Sequence, residues 1–364
     1  MQQQAILIVA QSGRFLAQIA HHAGHPVWVA DCFGDNDTLE FASRWLPLTD
    51  LSNPLSVLDA VLALSKGEAC TLVYGSGIES FHGILGQLPS HIKLAGNSQK
   101  SIDTVKKPSQ FFNILDQLAI AYPTTQLHPP QETTGWLSKS PHGLGGGHIE
   151  YCQTDILRAD VYYQRYIDGI SGSILFLANG TQGRLLTINQ QFSVNDSDMS
   201  FLLSGLATPF RLSYAHQNTL QNTIDALLGC IALVGLNSLD FIISNADEIL
   251  VLEINPRPSA SAELLTQLPQ LFSLHIKACQ GTLPIDTISR PKANATYLHY
   301  IFAQHDTVIP DGIIWPSHCH DIPAAGHFIL KKQPICTVIV ETTLTFNQSR
   351  KQVQDDIYTL LDRV

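Results

Sequence analysis

Glu253 and Asn255 stand two residues apart in the run Ile249-Leu-Val-Leu-Glu253-Ile-Asn255-Pro256-Arg257. The apolar residues predict a buried strand, whose two-residue period puts Glu253 and Asn255 on one face and Leu252 and Ile254 on the other. A carboxylate and an amide carbonyl so placed are hard oxygen ligands. Mg²⁺ favours such a partial set, because it completes its octahedron with phosphate oxygens and water. Pro256 ends the strand, and the permanently charged Arg257 is then free to face a phosphate or a carboxylate. Upstream, Ser238-Leu-Asp240-Phe-Ile-Ile-Ser244 reads as an antiparallel partner joined through the turn Asn245-Ala-Asp-Glu248. That pairing would bring Asp240 beside Glu253 as a further ligand. Taken alone, Glu253-Ile-Asn255 is as well read as a strand end with solvated polar residues; Asp240 and the lysine and glycine elements below favour the metal.

Gly143-Leu-Gly145-Gly146-Gly147 follows Lys139 by four residues. Glycines without Cβ let backbone N–H groups close over phosphate oxygens. The Gly-Lys-Ser/Thr of a Walker loop is absent, and a glycine cluster by itself is more often a turn. Lys139, at the end of an apolar strand, shifts the balance toward phosphate. His148 directly after the loop is a weaker candidate for phosphate or acyl contact. Ser317-His318-Cys319-His320-Asp321 reads as a loop with surface histidines, since neighbouring strand residues point to opposite faces and suit no single tetrahedral site. No serine or cysteine lies in a recognisable nucleophile setting.

These residues resemble the signature of the ATP-grasp superfamily, which includes biotin carboxylase and D-alanine–D-alanine ligase. The stretch Gly235 through Pro258 is most similar to a branch of predicted ATP-dependent carboligases. The resemblance implies ATP as cofactor, with Mg²⁺ (or Mn²⁺ in its place) held by Asp240, Glu253 and Asn255. It implies catalytic roles for Arg257, near the transferred phosphoryl group, and for Lys139, which would contact phosphates beneath the loop Gly143, Gly145, Gly146 and Gly147. Lys107 resembles an earlier nucleotide-binding lysine, with Lys106 its alternative. Gln164-Arg165-Tyr166-Ile167-Asp168 resembles the hinge whose backbone meets adenine. Many relatives carry an acid at the place of Arg165, which leaves the backbone contact as the one that matters. Asp168 would reach the ribose, although an aspartate before glycine also suits a plain turn.

The elements that must position these groups are legible in outline. Ile6–Ala10 reads as a first strand, Arg14 to Ala23 as a helix, Val27–Ala30 as a strand, Leu55–Ser65 as a helix and Thr71–Tyr74 as a strand. Strands alternating with helices imply a parallel sheet with ligands at the carboxyl ends of its strands. Gly-x-Gly-x-x-Gly is absent, so a dinucleotide is not expected there. The carboligase branch shares Gln11-Ser-Gly-Arg14, Asp31…Asp35 and Gly75-Ser-Gly-Ile-Glu79, which implies that this domain helps enclose the substrate. Lys106-Lys107-Pro108-Ser109 opens a helix through Leu118. Strands follow around 135–139, 161–167, 173–177 and 185–189, then a helix from about Thr219 to Leu233, a linker from Gly281 to Asn294, and a last helix Ser349–Leu361.

The expected fold class is α+β: an ATP-grasp fold with an N-terminal parallel α/β domain (1–100), an ATP-grasp domain (101–283, small lobe about 124–180) and a small C-terminal α+β module (284–364). With 364 residues, 45% of them hydrophobic and 14% charged, the chain has ample core for this. A net charge of −10 and a pI near 5.8 argue against nucleic acid as a partner. No apolar run approaches the ~20 residues of a membrane span. Seven scattered cysteines without a Cys-x-x-Cys pair argue against disulfides and zinc and fit a reducing cytoplasm. The implied activity is carboxylate–amine ligation through an acyl phosphate, with small-molecule carboxylate and amine as partners and a homodimer as a candidate assembly. Resemblance to ligases that join glutamate to an amine in methanofuran-type cofactor assembly implies a small metabolite. The alternatives are an ATP-dependent carboxylase or carbamoyl-phosphate-type enzyme, and a catalytically silent nucleotide-binding protein.

Overall fold

A computed structural model describes residues 3–152, 161–194, 200–265, 270–284 and 294–362. Five parallel strands form the N-terminal sheet, in the order Arg44–Pro47, Val27–Asp31, Ala5–Val9, Cys70–Tyr74, Ile92–Leu94. Ala5–Val9 and Val27–Asp31 are buried at every position, as a parallel sheet covered on both faces requires. Alternate residues serve the two faces. Ile6, Ile8 and Val29 pack with Leu16, Ala17 and Ala20 of the helix Arg14–His22. Leu7, Val9 and Ala30 pack with Val57, Val61 and Leu64 of the helix Pro54–Ser65. All three central strands discharge their loops, at Gln11–Gly13, Cys32–Asp35 and Gly75–Glu79, from the same carboxyl edge.

A small antiparallel sheet follows, ordered Thr125–Gln126, Tyr162–Arg165, Trp136–Lys139, Ile149–Tyr151. The largest sheet has eight strands, in the order Ile249–Asn255, Val234–Ser244, Gly169–Asn179, Gly183–Ser193, Leu203–Thr208, Ala295–Phe302, Pro334–Thr342, Cys319–His320. The helices Pro108–Gln117 and Tyr214–Leu228 cover one face around Phe176 and Phe241. Leu271–Cys279 covers part of the other. Truncating either phenylalanine would cost about 3–5 kcal/mol.

Several expectations need correction. Strands of the expected C-terminal module join the large sheet, since Ala295–Phe302 pairs with Leu203–Thr208. The pairing satisfies backbone N–H and C=O groups that a free strand edge would leave open. The helix expected from Thr219 to Leu233 is Tyr214–Leu228, because Ser213 caps it early by accepting the His216 N–H. Cys319–His320 is a strand with Cys319 buried, not a loop. A helix at Gln99–Lys106, capped by Ser98, precedes the one opened by Pro108. The expected linker lies in large part outside the described residues.

Candidate active site

The metal candidates are assembled by one hairpin. Val234–Ser244 and Ile249–Asn255 pair antiparallel with Asp240 opposite Glu253 and Ser238 opposite Asn255. Glu253 and Asn255 therefore share a face with Asp240, and the Asn255 amide donates to Asp240 Oδ2 at 3.3 Å. Lys106, at the end of its helix, donates Nζ to Glu253 Oε2 at 3.1 Å and to Asn255 Oδ1 at 3.2 Å. Desolvation and the neighbouring Glu253 push the Asp240 carboxyl up to about 7. Desolvation acts on Glu253 in the same sense, but Lys106 and Lys139 outweigh it and hold that carboxyl low. Two carboxylates that raise each other's cost of ionisation, with an amide oxygen alongside, are a donor set that Mg²⁺ fits. No group of three or more His, Cys, Asp or Glu side chains is placed to hold a metal among the described residues. For a metal held there, the Asn255 amide oxygen would be the third protein donor.

Lys139 approaches the same place from the small sheet. It is buried, and its Nζ donates to Gln164 Oε1 at 2.9 Å. Gln164 in turn donates to Thr125 Oγ1 at 3.0 Å. Burial lowers the Lys139 ammonium pKa, while Glu253 and Asp240 oppose that shift. Arg257 is anchored by the N-terminal domain: its Nε donates to Glu79 Oε1 at 2.8 Å, and Glu79 is fully buried. The turn that carries Arg257 is pinned as well. Asn97 Nδ2 donates to Pro256 O at 2.8 Å, and the Tyr74 hydroxyl donates to the same carbonyl at 3.3 Å. The sequence marks neither Asn97 nor Tyr74 as part of the site, and Glu79 only through the stretch Gly75-Ser-Gly-Ile-Glu79.

The glycine loop closes over the cleft. Gly145 O accepts the Leu203 N–H at 2.8 Å. A Cβ at Gly146, whose φ is +82°, would collide with the Phe201 carbonyl, and one at Gly143 would collide with the His148 ring. The glycines thus permit two close approaches, not only a turn. His148 lies under the loop with Nδ1 buried and without a hydrogen-bond partner among the described residues.

The hinge residues divide. Arg165 and Tyr166 give their N–H groups to Thr124 O (2.8 Å) and Gly135 O (2.9 Å), so their N–H groups are not available to a base. Gln164 contributes through its side chain. The Arg165 guanidinium turns away to Thr134 O and lies 5.2 Å from the Trp136 ring centre. Ile167 lines the cleft, whereas Asp168 does not and instead accepts from Asn245 Nδ2 at 2.9 Å.

Of the two lysines, the structure brings Lys106 and not Lys107 to the metal candidates. Lys106 sits on the inward face of the helix Gln99–Lys106, whereas Lys107 caps the next helix, pairs with Asp103 at 3.3 Å and lines a separate surface depression.

Lys139, the glycine loop, Asp240, Glu253, Asn255 and Arg257 line one cleft of about 1260 Å³ that runs from the hairpin past Arg257 to the carboxyl edge of the N-terminal sheet. Residues 107–261 match the model of a family described as the ATP-grasp domain. Among solved structures, N5-carboxyaminoimidazole synthetase from Staphylococcus aureus complexed with ADP is 15% identical, with 99% of this chain and 97% of that one covered and a TM-score of 0.70. The biotin carboxylase domain of 2-oxoglutarate carboxylase from Hydrogenobacter thermophilus, solved with MgADP, ADP and bicarbonate, is 13% identical, covering 94% and 87%, at a TM-score of 0.72. L-amino acid ligase from Bacillus licheniformis is 13% identical, covering 98% of each chain, at 0.71. No curated protein sequence matches significantly. At such identities the likeness shows the fold, which is ATP-grasp over the length of the chain.

Proposed function

We propose that this ATP-grasp protein is an enzyme that joins a small-molecule carboxylate to an amine, converting ATP to ADP and phosphate through an acyl phosphate. The observation that carries this reading is the convergence of Lys106, Lys139 and Arg257 on the Asp240–Glu253–Asn255 hairpin within a cleft large enough for a nucleotide and a second molecule. Phosphoryl transfer needs positioning and charge stabilisation more than protein covalent chemistry. The cleft agrees: its cysteines, Cys32 and Cys336, are held protonated, Cys32 by burial (up to about 11) and Cys336 first by the adjoining Cys319 thiol.

The substrate carboxylate attacks the γ-phosphorus, the bond to the β-bridging oxygen breaks, and ADP leaves. The amine then displaces phosphate from the acyl carbon and gives up a proton. Lys139 and Arg257 stabilise the charge spread over the transferring group, and Lys106 keeps Glu253 ionised. Mg²⁺, held by Asp240, Glu253 and Asn255, would supply neutralisation of the β- and γ-oxygens. The docked loop excludes water from the acyl phosphate. The residue composition fits a reducing cytoplasm as the setting.

An ADP-release screen over carboxylates, with hydroxylamine as a small trapping nucleophile, tests the reading through hydroxamate formation. With ¹⁸O in the active carboxylate, label should appear in inorganic phosphate. Label in AMP with pyrophosphate released would mean adenylation and would reject the acyl-phosphate path. Bicarbonate is the competing acid, favoured by the bicarbonate in the biotin carboxylase domain that shares this fold. Bicarbonate-dependent ADP release without added amine would select it. Tight MgATP binding without turnover on any acid would select a silent nucleotide-binding protein.

A further inference from the structure

Beyond Arg257 the cleft ends among carboxylates. Asp35, Glu263 and Asp321 line it there. The one guanidinium among them, Arg14, is fully engaged: Nε and Nη2 donate to the two oxygens of Asp321 at 3.1 and 3.2 Å, and Nη2 also donates to Glu263. Asp37 lies 3.7 Å from Arg14 Nε and accepts the backbone N–H groups of Asp321 and Ile322, both at 2.9 Å. Asp31 is satisfied by the N–H groups of Gly13 and Gly34 and by the Trp45 indole. Asp35 is different. It is 7% exposed and faces the cleft, yet among the described residues its carboxylate receives no hydrogen bond, not even from the helix Asn36–Phe41 that it precedes.

An ionised carboxylate so buried is costly unless paired. Burial, reinforced by Asp321, Asp37 and Asp31, pushes the Asp35 carboxyl up to about 8, and Arg14 offsets only part of this. Among the described residues no cation is bonded to Asp35, because Arg14 is committed to Asp321 and Glu263. A metal ion fits less well than an organic cation, since Asp37, Glu263 and Asp321 are already engaged by Arg14 or by backbone N–H groups and Asp35 would be its one unengaged carboxylate among the described residues. The walls at this end include Phe33 and Tyr300, which offer apolar surface and π faces to an organic cation.

We propose that this acidic end is the subsite for the amine co-substrate, which enters as an organic ammonium ion and pairs with Asp35. The proposal deepens the ligase reading and rests on it for the word co-substrate; the recognition of an ammonium ion is tested separately.

Titrating the full chain with benzylammonium, and in parallel with benzyl alcohol as its neutral isostere, tests recognition by the wild-type protein alone. Saturable binding of the ammonium and at least about tenfold weaker binding of the alcohol are expected, the scale of a charge-assisted hydrogen bond. Asp35→Asn should lose at least about tenfold in ammonium affinity and Asp35→Glu should recover most of it, while MgATP affinity in both variants stays at the wild-type value as the control for folding. Equal binding of alcohol and ammonium, no saturable ammonium binding, or unchanged affinity in a folded Asp35→Asn protein would overturn the proposal. Failure of the ligase reading shows elsewhere, as the absence of hydroxamate from every carboxylate, and leaves the ammonium titration unaffected.

Discussion

The two ends of the cleft solve opposite electrostatic problems. At the hairpin end, Lys106, Lys139 and Arg257 face Asp240, Glu253 and Glu79, so cations and carboxylates are matched. At the sheet end, Arg14 is shared among Asp37, Glu263 and Asp321, and Asp35 has no ion-pair partner among the described residues. A matched set accepts a metal ion and a polyphosphate together, because each brings the charge the other offsets. An unmatched set is complete only with a cation from outside. The difference teaches that net charge at a subsite, more than the identity of any single residue, indicates which part of a reaction it serves.

The largest effect should come from separating the ends. Glu253→Ala removes a charged metal ligand and should reduce ADP formation by more than ~10³-fold, while leaving benzylammonium binding intact. Near-normal turnover would remove the metal assignment, and lost ammonium binding would show that the ends are one site. Next in size, Arg257→Ala should lower kcat by ~10²–10³ with ATP affinity changed only a few-fold, because a guanidinium contact tightens as charge moves onto the leaving oxygens. Glu79→Gln, which leaves Arg257 in place but loosens its anchor, should cost ~10–100-fold. A steady-state comparison of kcat and KM distinguishes these from a loss of nucleotide binding.

Stability should respond with opposite signs at the two ends. Asp35 has its folded pKa raised from 3.8 to about 8, so its ionisation opposes folding; the penalty is absent below the unfolded pKa and grows as pH rises toward 8. Asp35→Asn should therefore stabilise the protein at pH 8 by on the order of a few kcal/mol, with the gain shrinking toward pH 4. Glu253 has its folded pKa depressed, so its contribution is present above the unfolded value near 4.5 and is lost as pH falls below it. Its side chain is 34% exposed, so screening limits the loss in Glu253→Gln at neutral pH to roughly 1 kcal/mol. Thermal unfolding across this pH range checks both signs; two shifts in the same direction would break the comparison. The smallest effect belongs to Lys107→Ala, whose exposed pair with Asp103 should be worth under ~1 kcal/mol and leave ATP affinity unchanged. Lys106→Ala should weaken MgATP binding by at least about tenfold in the same titration.

The hairpin was legible because its information is local. Side-chain alternation and a short turn place Asp240 opposite Glu253, and no distant contact is needed to decide it. The alternation of strand and helix over the first hundred residues likewise specifies a parallel sheet whose carboxyl edge must face ligand. The choice between Lys106 and Lys107 was not local, since it turns on a junction of two helices at which adjacent residues point to different surfaces.

The sequence by itself determined which chemistries were on offer: hard oxygen ligands on one strand face, a lysine before a glycine loop, an arginine after a strand-ending proline. Only the tertiary structure decided how they are held and what lies beyond them. Glu79 anchors Arg257 across 178 residues, and Asp321 reaches Arg14 across 307. Such contacts arise from the packing of whole domains, and no periodicity in the chain encodes them. For the same reason the sequence marks Asp35 only as part of a stretch near the substrate, and burial without a partner among the described residues is what singles it out as a candidate binding group.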